Sequence, residues 1–201
     1  DENYSSAILD NIGRLKNRIG DDLLILGHHY QQDEIIKFAD KIGDSFELSK
    51  FASREKNKKY IVFCGVHFMA ETADILTDDS QIVILPDLAA GCSMADMASL
   101  DDVEAAFETI RSNSSKKLIP ITYVNSSADI KAFVGKKGGI VCTSSNARAA
   151  IEWAFNNGDQ LMFMPDQHLG RNTAYKMGIS LDEMIVWDPR SSKSPDDLKQ
   201  I

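Results

Sequence analysis

Short continuous apolar runs, each followed by polar side chains and then by a stretch of helical spacing, leave this chain few folds to choose from. Leu23-Leu24-Ile25-Leu26-Gly27 is the first such run, and Tyr60-Ile61-Val62-Phe63-Cys64-Gly65-Val66 the second. A strand buried on both faces reads as an unbroken apolar run, whereas a half-buried one alternates. Between the runs, apolar residues recur at helical spacing: Ala7 to Ile19 before the first, Ile35 to Ala39 and Phe46 to Ala52 after it, and His67 to about Leu76 after the second. Strands alternating with helices give parallel sheets with right-handed crossovers. The expected fold class is therefore α/β, with small parallel-sheet units layered between helices.

The pattern then starts again. Ile82-Val83-Ile84-Leu85 is a third strand, halted by Pro86, and a helix through Val103, Ala106, Phe107 and Ile110 follows. The polar patch Arg111-Ser112-Asn113-Ser114-Ser115-Lys116-Lys117 marks the expected boundary, giving a first unit of residues 1–113 and a second of 114–189. In the second, Leu118 to Val124, Gly138 to Cys142, Leu161 to Met164 and Met184 to Trp187 read as strands, with helices over Asp129–Val134, up to Phe155 and over Leu169–Met177. Residues 190–201 read as a loop leading elsewhere. Cys64 to Pro86 and Cys142 to Pro165 have nearly equal lengths and the same order of strand, helix, strand and Pro-Asp, which suggests an internal repeat.

Ligands of open α/β sheets bind beyond the carboxyl ends of the strands. His28, Tyr30, Cys92, Tyr123, Asn125 and Ser144 all stand just past expected strand ends, and Ser45 stands where a turn opens a helix. A thiol at such an end can be a metal ligand or a nucleophile, and it can equally be an inert small core residue. Ser45, Ser126 and Ser144 sit at helix starts, where orphan N–H groups favour anions, although plain capping explains each of them too. The adjacent His28 and His29 lack the spacing of a helical zinc pair, and either can be a structural histidine. Cys64 and Cys142 lie inside apolar runs and read as buried thiols, and Asp87 and Asp166 read as turn braces. No glycine-rich nucleotide fingerprint follows any strand.

Charge narrows the partners. The net charge is -8 with no basic cluster to offset it, which argues against nucleic acid or an anionic membrane as the main partner. No run approaches the ~18 apolar residues of a membrane span, and three widely spaced cysteines without a C-x-x-C pair suit a reducing, cytoplasmic setting.

Read in order, Leu26-Gly27-His28-His29-Tyr30-Gln31, Gly43-Asp44-Ser45, Gly65-Val66-His67-Phe68-Met69-Ala70-Glu71, Pro86-Asp87 through Gly91-Cys92-Ser93-Met94-Ala95, Tyr123-Val124-Asn125-Ser126, Cys142-Thr143-Ser144-Ser145-Asn146-Ala147 and Pro165-Asp166 with Leu169-Gly170 resemble the motifs of the quinolinate synthase family. The resemblance implies a pseudo-threefold protein of three α/β units, which condenses iminoaspartate with dihydroxyacetone phosphate to quinolinate, with loss of phosphate and water, in NAD biosynthesis. It implies a 4Fe-4S cluster held by three cysteines, one per unit, with one iron left open as a Lewis acid. Cys92 matches the first cluster ligand; His28, Ser45 and Ser144 match groups that hold substrate carboxylate or phosphate. Tyr30, Tyr123 and Asn125 match groups at the reacting end, with Tyr30 the proton-transfer candidate and Tyr123 the second catalytic one. A partner protein that supplies iminoaspartate is a further implied candidate.

The family's other two cluster cysteines and its third unit have no counterpart in this sequence, so either further chain carries them, the favoured expectation, or the chain is a degenerate paralogue. Two other readings compete: a binding module that holds a small phosphorylated or dicarboxylate ligand without a cluster, and an enzyme with Cys92 as nucleophile and His28 as its base.

Overall fold

The structure is a computed structural model that describes residues 6–188. The chain divides into two compact units between Cys92 and Ser93.

In the first unit a helix, α1 (Ser6–Ile19), precedes β1 (Leu23–His28), α2 (Asp33–Ile36), β2 (Lys41–Gly43), α3 (Ser45–Ala52), β3 (Tyr60–Cys64), α4 (His67–Leu76) and β4 (Ile82–Ile84). The sheet is parallel throughout, in the order β2-β1-β3-β4. Leu24 and Leu26 of β1 stand beside Ile61 and Phe63 of β3, and all four are enclosed. At Gly27 the strand meets α2: a Cβ there would come within 2.8 Å of Ile36 and 3.0 Å of Ala39, so only glycine lets helix and strand approach this closely. Asp40 seals the join: its carboxylate accepts from the Ile25 amide at 2.8 Å, and its own amide donates to the Ile25 carbonyl at 2.7 Å.

Only β1 is buried along its whole length. The apolar run of β3 predicts burial on both faces, yet its burial alternates, because one face of the sheet is thinly covered: α1 buries no residue of its own. Lys16 ties α1 down by donating to the Phe38 carbonyl at 2.7 Å and pairing with Asp40 at 2.5 Å.

In the second unit α5 (Leu100–Asn113), β5 (Leu118–Tyr123), α6 (Ala128–Lys136), β6 (Ile140–Cys142), α7 (Ala147–Asn157), β7 (Gln160–Met164) and α8 (Gln167–Lys176) follow one another. The sheet is again parallel, ordered β6-β5-β7. Leu118, Met162 and Met164 point to one face, where they pack with Val103, Phe107, Ile130 and Phe133 from α5 and α6. Ile119, Ile121, Leu161 and Phe163 point to the other, against Ala147, Ile151 and Ala174 from α7 and α8. Three layers result. Pro120 sits in the central strand without harm because pairing with β6 begins only at Ile121, so its missing N–H faces a gap in the ladder.

The unit boundary lies upstream of the 113/114 division expected from sequence. The reason is α5, whose Val103, Ala106, Phe107 and Ile110 are buried against the second sheet. Met184–Trp187 forms no strand, contrary to expectation; Met184 and Trp187 instead pack against the two different cores of their unit. The expected loop 190–201 lies outside the described residues.

The repeat is present in another frame. β3 and β4 are neighbours, whereas β6 and β7 are separated by β5, so the Cys64–Pro86 and Cys142–Pro165 segments are not equivalent. Order and adjacency instead match β1, β2 and β3 with β5, β6 and β7, and α1 with α5.

Candidate functional site

At the carboxyl edge of the first sheet β1 ends in His28, level with Gly43 of β2, so the residue after β1 and the residue after β2 emerge side by side. His28 is only 6% exposed although it terminates a strand. Its ring lies 4.0 Å from that of Tyr30 and 4.2 Å from that of His29, centroid to centroid. The Tyr30 amide donates to its Nδ1 at 3.4 Å, which leaves Nε2 to carry the proton of the neutral ring. Burial holds His28 below the ordinary histidine range, the neighbouring His29 pushes the same way, and the Asp44 carboxylate opposes them.

Tyr30 is 52% exposed. Partial burial raises its phenol above the usual tyrosine value, and the Cys92 thiol adds to the rise, which brings these two groups within electrostatic reach of one another. Cys92 itself is half-buried at the end of the loop that follows β4. Ser45 opens α3 directly behind Asp44, whose carboxylate caps the helix by accepting from the Glu47 amide at 2.8 Å. His28, Tyr30, Ser45 and Cys92 therefore belong to one edge of one sheet.

The second sheet repeats the arrangement. Tyr123 ends β5 level with Cys142 of β6, and the Val124 amide donates to the Cys142 carbonyl at 2.8 Å. Ser126, read from sequence as a helix-start residue, is fully buried; its hydroxyl donates to the Tyr123 carbonyl at 2.9 Å and accepts from Thr122 at 3.0 Å. That turn presents the half-buried Asn125. Ser144 is exposed between Thr143 and the start of α7, where Asn146 accepts from the Thr143 amide at 2.6 Å. The side chains of Ser45, Asn125 and Ser144 make no hydrogen bond to the described residues, so their polar atoms are available to a ligand.

The other thiols are placed differently. Cys142 is enclosed, and burial together with Asp166 pushes it up to about 12. Burial alone raises Cys64. Both thiols are thus held in the protonated, inert form. Asp87 and Asp166 act as braces, as expected: Asp87 accepts from the Ala89 amide at 2.9 Å, and Asp166 caps α8 by accepting from the amides of His168 and Leu169. Among the described residues no group of three or more His, Cys, Asp or Glu side chains is arranged to hold a metal ion. A 4Fe-4S cluster needs several thiolates. The described residues offer one suitable thiol, Cys92, and do not by themselves fit the whole cage.

Sequence reasoning missed two neighbours of this edge. Asp44 is visible in the sequence only as a helix cap, and its second role beside His28 follows from the pairing of β1 with β2. His67 is visible only as the first residue of a helix, and its contacts come from a loop more than twenty residues away in sequence.

A family model described as Quinolinate synthetase A protein matches residues 10–192. The chain belongs to the quinolinate synthetase A family. Among curated members, the quinolinate synthase of Geobacillus sp. (strain WCH70) is 59% identical over 196 residues, covering 96% of this chain and 53% of that protein. That of Bacillus velezensis is 54% identical over 194 residues, covering 94% of this chain and 53% of the relative. That of Bacillus anthracis is 56% identical over 180 residues, covering 90% and 49%. The chain spans about half the length of the curated relatives it matches. No described helix is long and apolar enough to cross a membrane.

Proposed function

We propose that this chain is part of a quinolinate synthase, which condenses iminoaspartate with dihydroxyacetone phosphate to quinolinate and releases phosphate and water. The observation that carries the reading is family membership across residues 10–192, with Cys92, Tyr30 and His28 on one sheet edge. In this reading Cys92 is one thiolate ligand of a 4Fe-4S cluster whose other ligands come from outside the described residues. When bound, the cluster supplies a Lewis-acidic iron.

The remaining roles fall to this chain's own side chains. Neutral His28, with its proton on Nε2, donates a hydrogen bond to a substrate carboxylate or phosphate. Tyr30, held protonated by its raised pKa, is the proton donor, and Tyr123 with Asn125 orients the reacting carbonyl or imine. Ser45 and Ser144 bind the substrate anions at helix starts, and electrostatics separates them. The start of α3 already carries Asp44 and Glu47, the latter paired with Lys41, whereas the first turn of α7 has no acidic residue. A dianionic phosphate is therefore better served at Ser144, and a carboxylate at Ser45. A cytoplasmic location, and a partner enzyme that supplies the unstable imine, belong to the same proposal.

The nucleophile reading needs His28 hydrogen-bonded to the Cys92 thiol, and among the described residues the hydrogen bond to the His28 ring comes from the Tyr30 amide instead. The test is anaerobic reconstitution of the intact protein with iron and sulfide. A brown protein whose colour is lost in Cys92→Ala is the expected result, and iron–sulfur absorption that survives the substitution overturns the assignment of Cys92. Colourless protein that still binds dihydroxyacetone phosphate would favour the binding module.

A further inference from the structure

The loop that carries Cys92 is exposed over most of its length, and Leu88 at its tip is 75% exposed. Packing therefore does little to hold it. Within the loop, the Ala89 amide donates to the Asp87 carboxylate at 2.9 Å and the Ala90 amide to the Asp87 carbonyl at 3.1 Å, which folds residues 87–90 into a turn. Among the described residues, the hydrogen bonds that tie this turn to the rest of its unit all end on His67. The His67 amide donates to the Ala90 carbonyl at 2.8 Å, and its Nδ1 lies 3.4 Å from the Leu88 carbonyl oxygen. On the other side of the ring, Nε2 lies 3.4 Å from the Glu71 carboxylate.

This arrangement replaces an ordinary helix cap. The residue before α4 is Val66, whose side chain has no hydrogen-bonding atom, and the first turn of α4 has no acidic residue. A helix start normally finds Ser, Thr, Asp or Asn there to satisfy its orphan N–H groups. Here a loop carbonyl satisfies one of them instead. The helix start and the loop thus hold one another, and the imidazole adds a second point of attachment that fixes the direction in which the turn leaves the helix. Cys92 follows Ala90 by two residues, so the second attachment limits where its thiol can lie relative to Tyr30.

We propose that His67 is a positioning residue, which clamps the 87–90 turn to the start of α4 and thereby fixes where the Cys92 thiol, two residues beyond the turn, lies at the sheet edge. The inference deepens the reading of Cys92 as a site thiol and rests on it for its importance, although the clamp itself requires no cluster. Its alternative is a residue that only stabilises the first unit as a whole, and Cys64 of that unit separates the two cases, with Cys142 of the second unit as a control. A clamp acts on Cys92 alone. General destabilisation of the first unit raises the rate at the half-buried Cys64 of β3 as well.

The experiment is alkylation of the intact, metal-free protein by iodoacetamide near neutral pH, with each cysteine followed separately by peptide mass spectrometry. In His67→Ala the rate at Cys92 is expected to change at least threefold, while Cys64 and Cys142 remain as slow as before. The conservative His67→Asn places an amide N–H near the position of Nδ1 and should restore the original rate, whereas His67→Gln, whose amide reaches toward the Nε2 position, should not. An unchanged Cys92 rate in His67→Ala, or a parallel rise at Cys64, overturns the proposal. Should His67→Ala fail to fold, the Asn and Gln variants decide, and equal Cys92 rates in those two overturn it. Iron reconstitution of the same variants is read separately: loss of the iron assignment for Cys92 leaves the alkylation result standing, and a failed clamp leaves the iron assignment untouched.

Discussion

His28 is neutral because it is enclosed beside a second histidine, and that neutrality has a pH signature. In the unfolded chain its imidazole takes up a proton near the ordinary value of 6.5, while in the folded protein it does so only at lower pH. The unfolded state therefore binds more protons as pH falls below 6.5, and stability declines until the folded-state value is passed. Thermal melts at pH 7.5 and 5.5 should show a lower Tm at the acid end, and His28→Gln should reduce that difference; an acid-side loss of the same size in the variant would assign it to other groups. The serines give a second prediction at this scale. If the proposed function holds, Ser144→Ala should weaken dihydroxyacetone phosphate binding about tenfold or more, a loss in the range of one charged hydrogen bond, and Ser45→Ala should weaken it less. Calorimetric titration of the intact protein checks the order, and a larger loss at Ser45 would reverse the assignment of phosphate and carboxylate.

Among elements, the caps and close approaches set the edges from which the functional side chains project. Asp166 satisfies two orphan amides of α8, and Asp166→Ala should cost about 1 to 2 kcal/mol in urea unfolding. Gly139 is a sharper case. A Cβ there would fall 1.9 Å from the Pro120 carbonyl oxygen, a backbone atom that cannot turn away as a side chain can. Gly139→Ala should therefore destabilise the second unit by about 3 kcal/mol, at the upper end of overpacking penalties, unless β6 shifts away from β5. Urea melts followed by tryptophan fluorescence would measure it, and a change under about 1 kcal/mol would show that β6 yields. Element order also explains the repeat. Spacing alone aligns two Pro-Asp segments of similar length, but a repeat in a parallel sheet is defined by which strands are neighbours, and that is a property of crossovers rather than of spacing. In the frame that topology defines, Ser45 and Ser144 both follow the second strand of their units, and Tyr30 and Asn125 both follow the first.

For the molecule as a whole, both units leave large apolar side chains in water, and those of the first include a strand edge. Ile82 and Ile84 are exposed on the edge strand β4, Ile75 and Leu76 at the end of α4, and Ile8, Leu15 and Ile19 along α1. An open strand edge with exposed isoleucines favours association. The 201-residue chain by itself is therefore expected to bind a hydrophobic dye in its native state and to self-associate as concentration rises. Ile82→Lys with Ile84→Lys should reduce both effects without lowering helix content, as dye fluorescence, sedimentation and circular dichroism would show. A monomeric chain with no dye binding would mean that these side chains are covered in solution.

The α/β class, the strand ends and the family were legible in the residues because each depends on local pattern: an unbroken apolar run, a polar group after it, a motif string. So were Asp87 and Asp166 as braces and Cys142 as an inert thiol, since turn chemistry and burial within an apolar run are also local. The unit that α5 joins, the frame of the repeat, the failure of Met184–Trp187 to become a strand and the roles of Asp44 and His67 were not. Each of these depends on which distant segments come to lie together, and hydrophobic periodicity carries no information about the partner that buries a face or the carbonyl that a ring nitrogen meets. Sequence alone determined which residues can serve as strand, helix, thiol or hydrogen-bond donor; tertiary structure decided their neighbours, because burial and electrostatics act between groups that the chain order keeps apart.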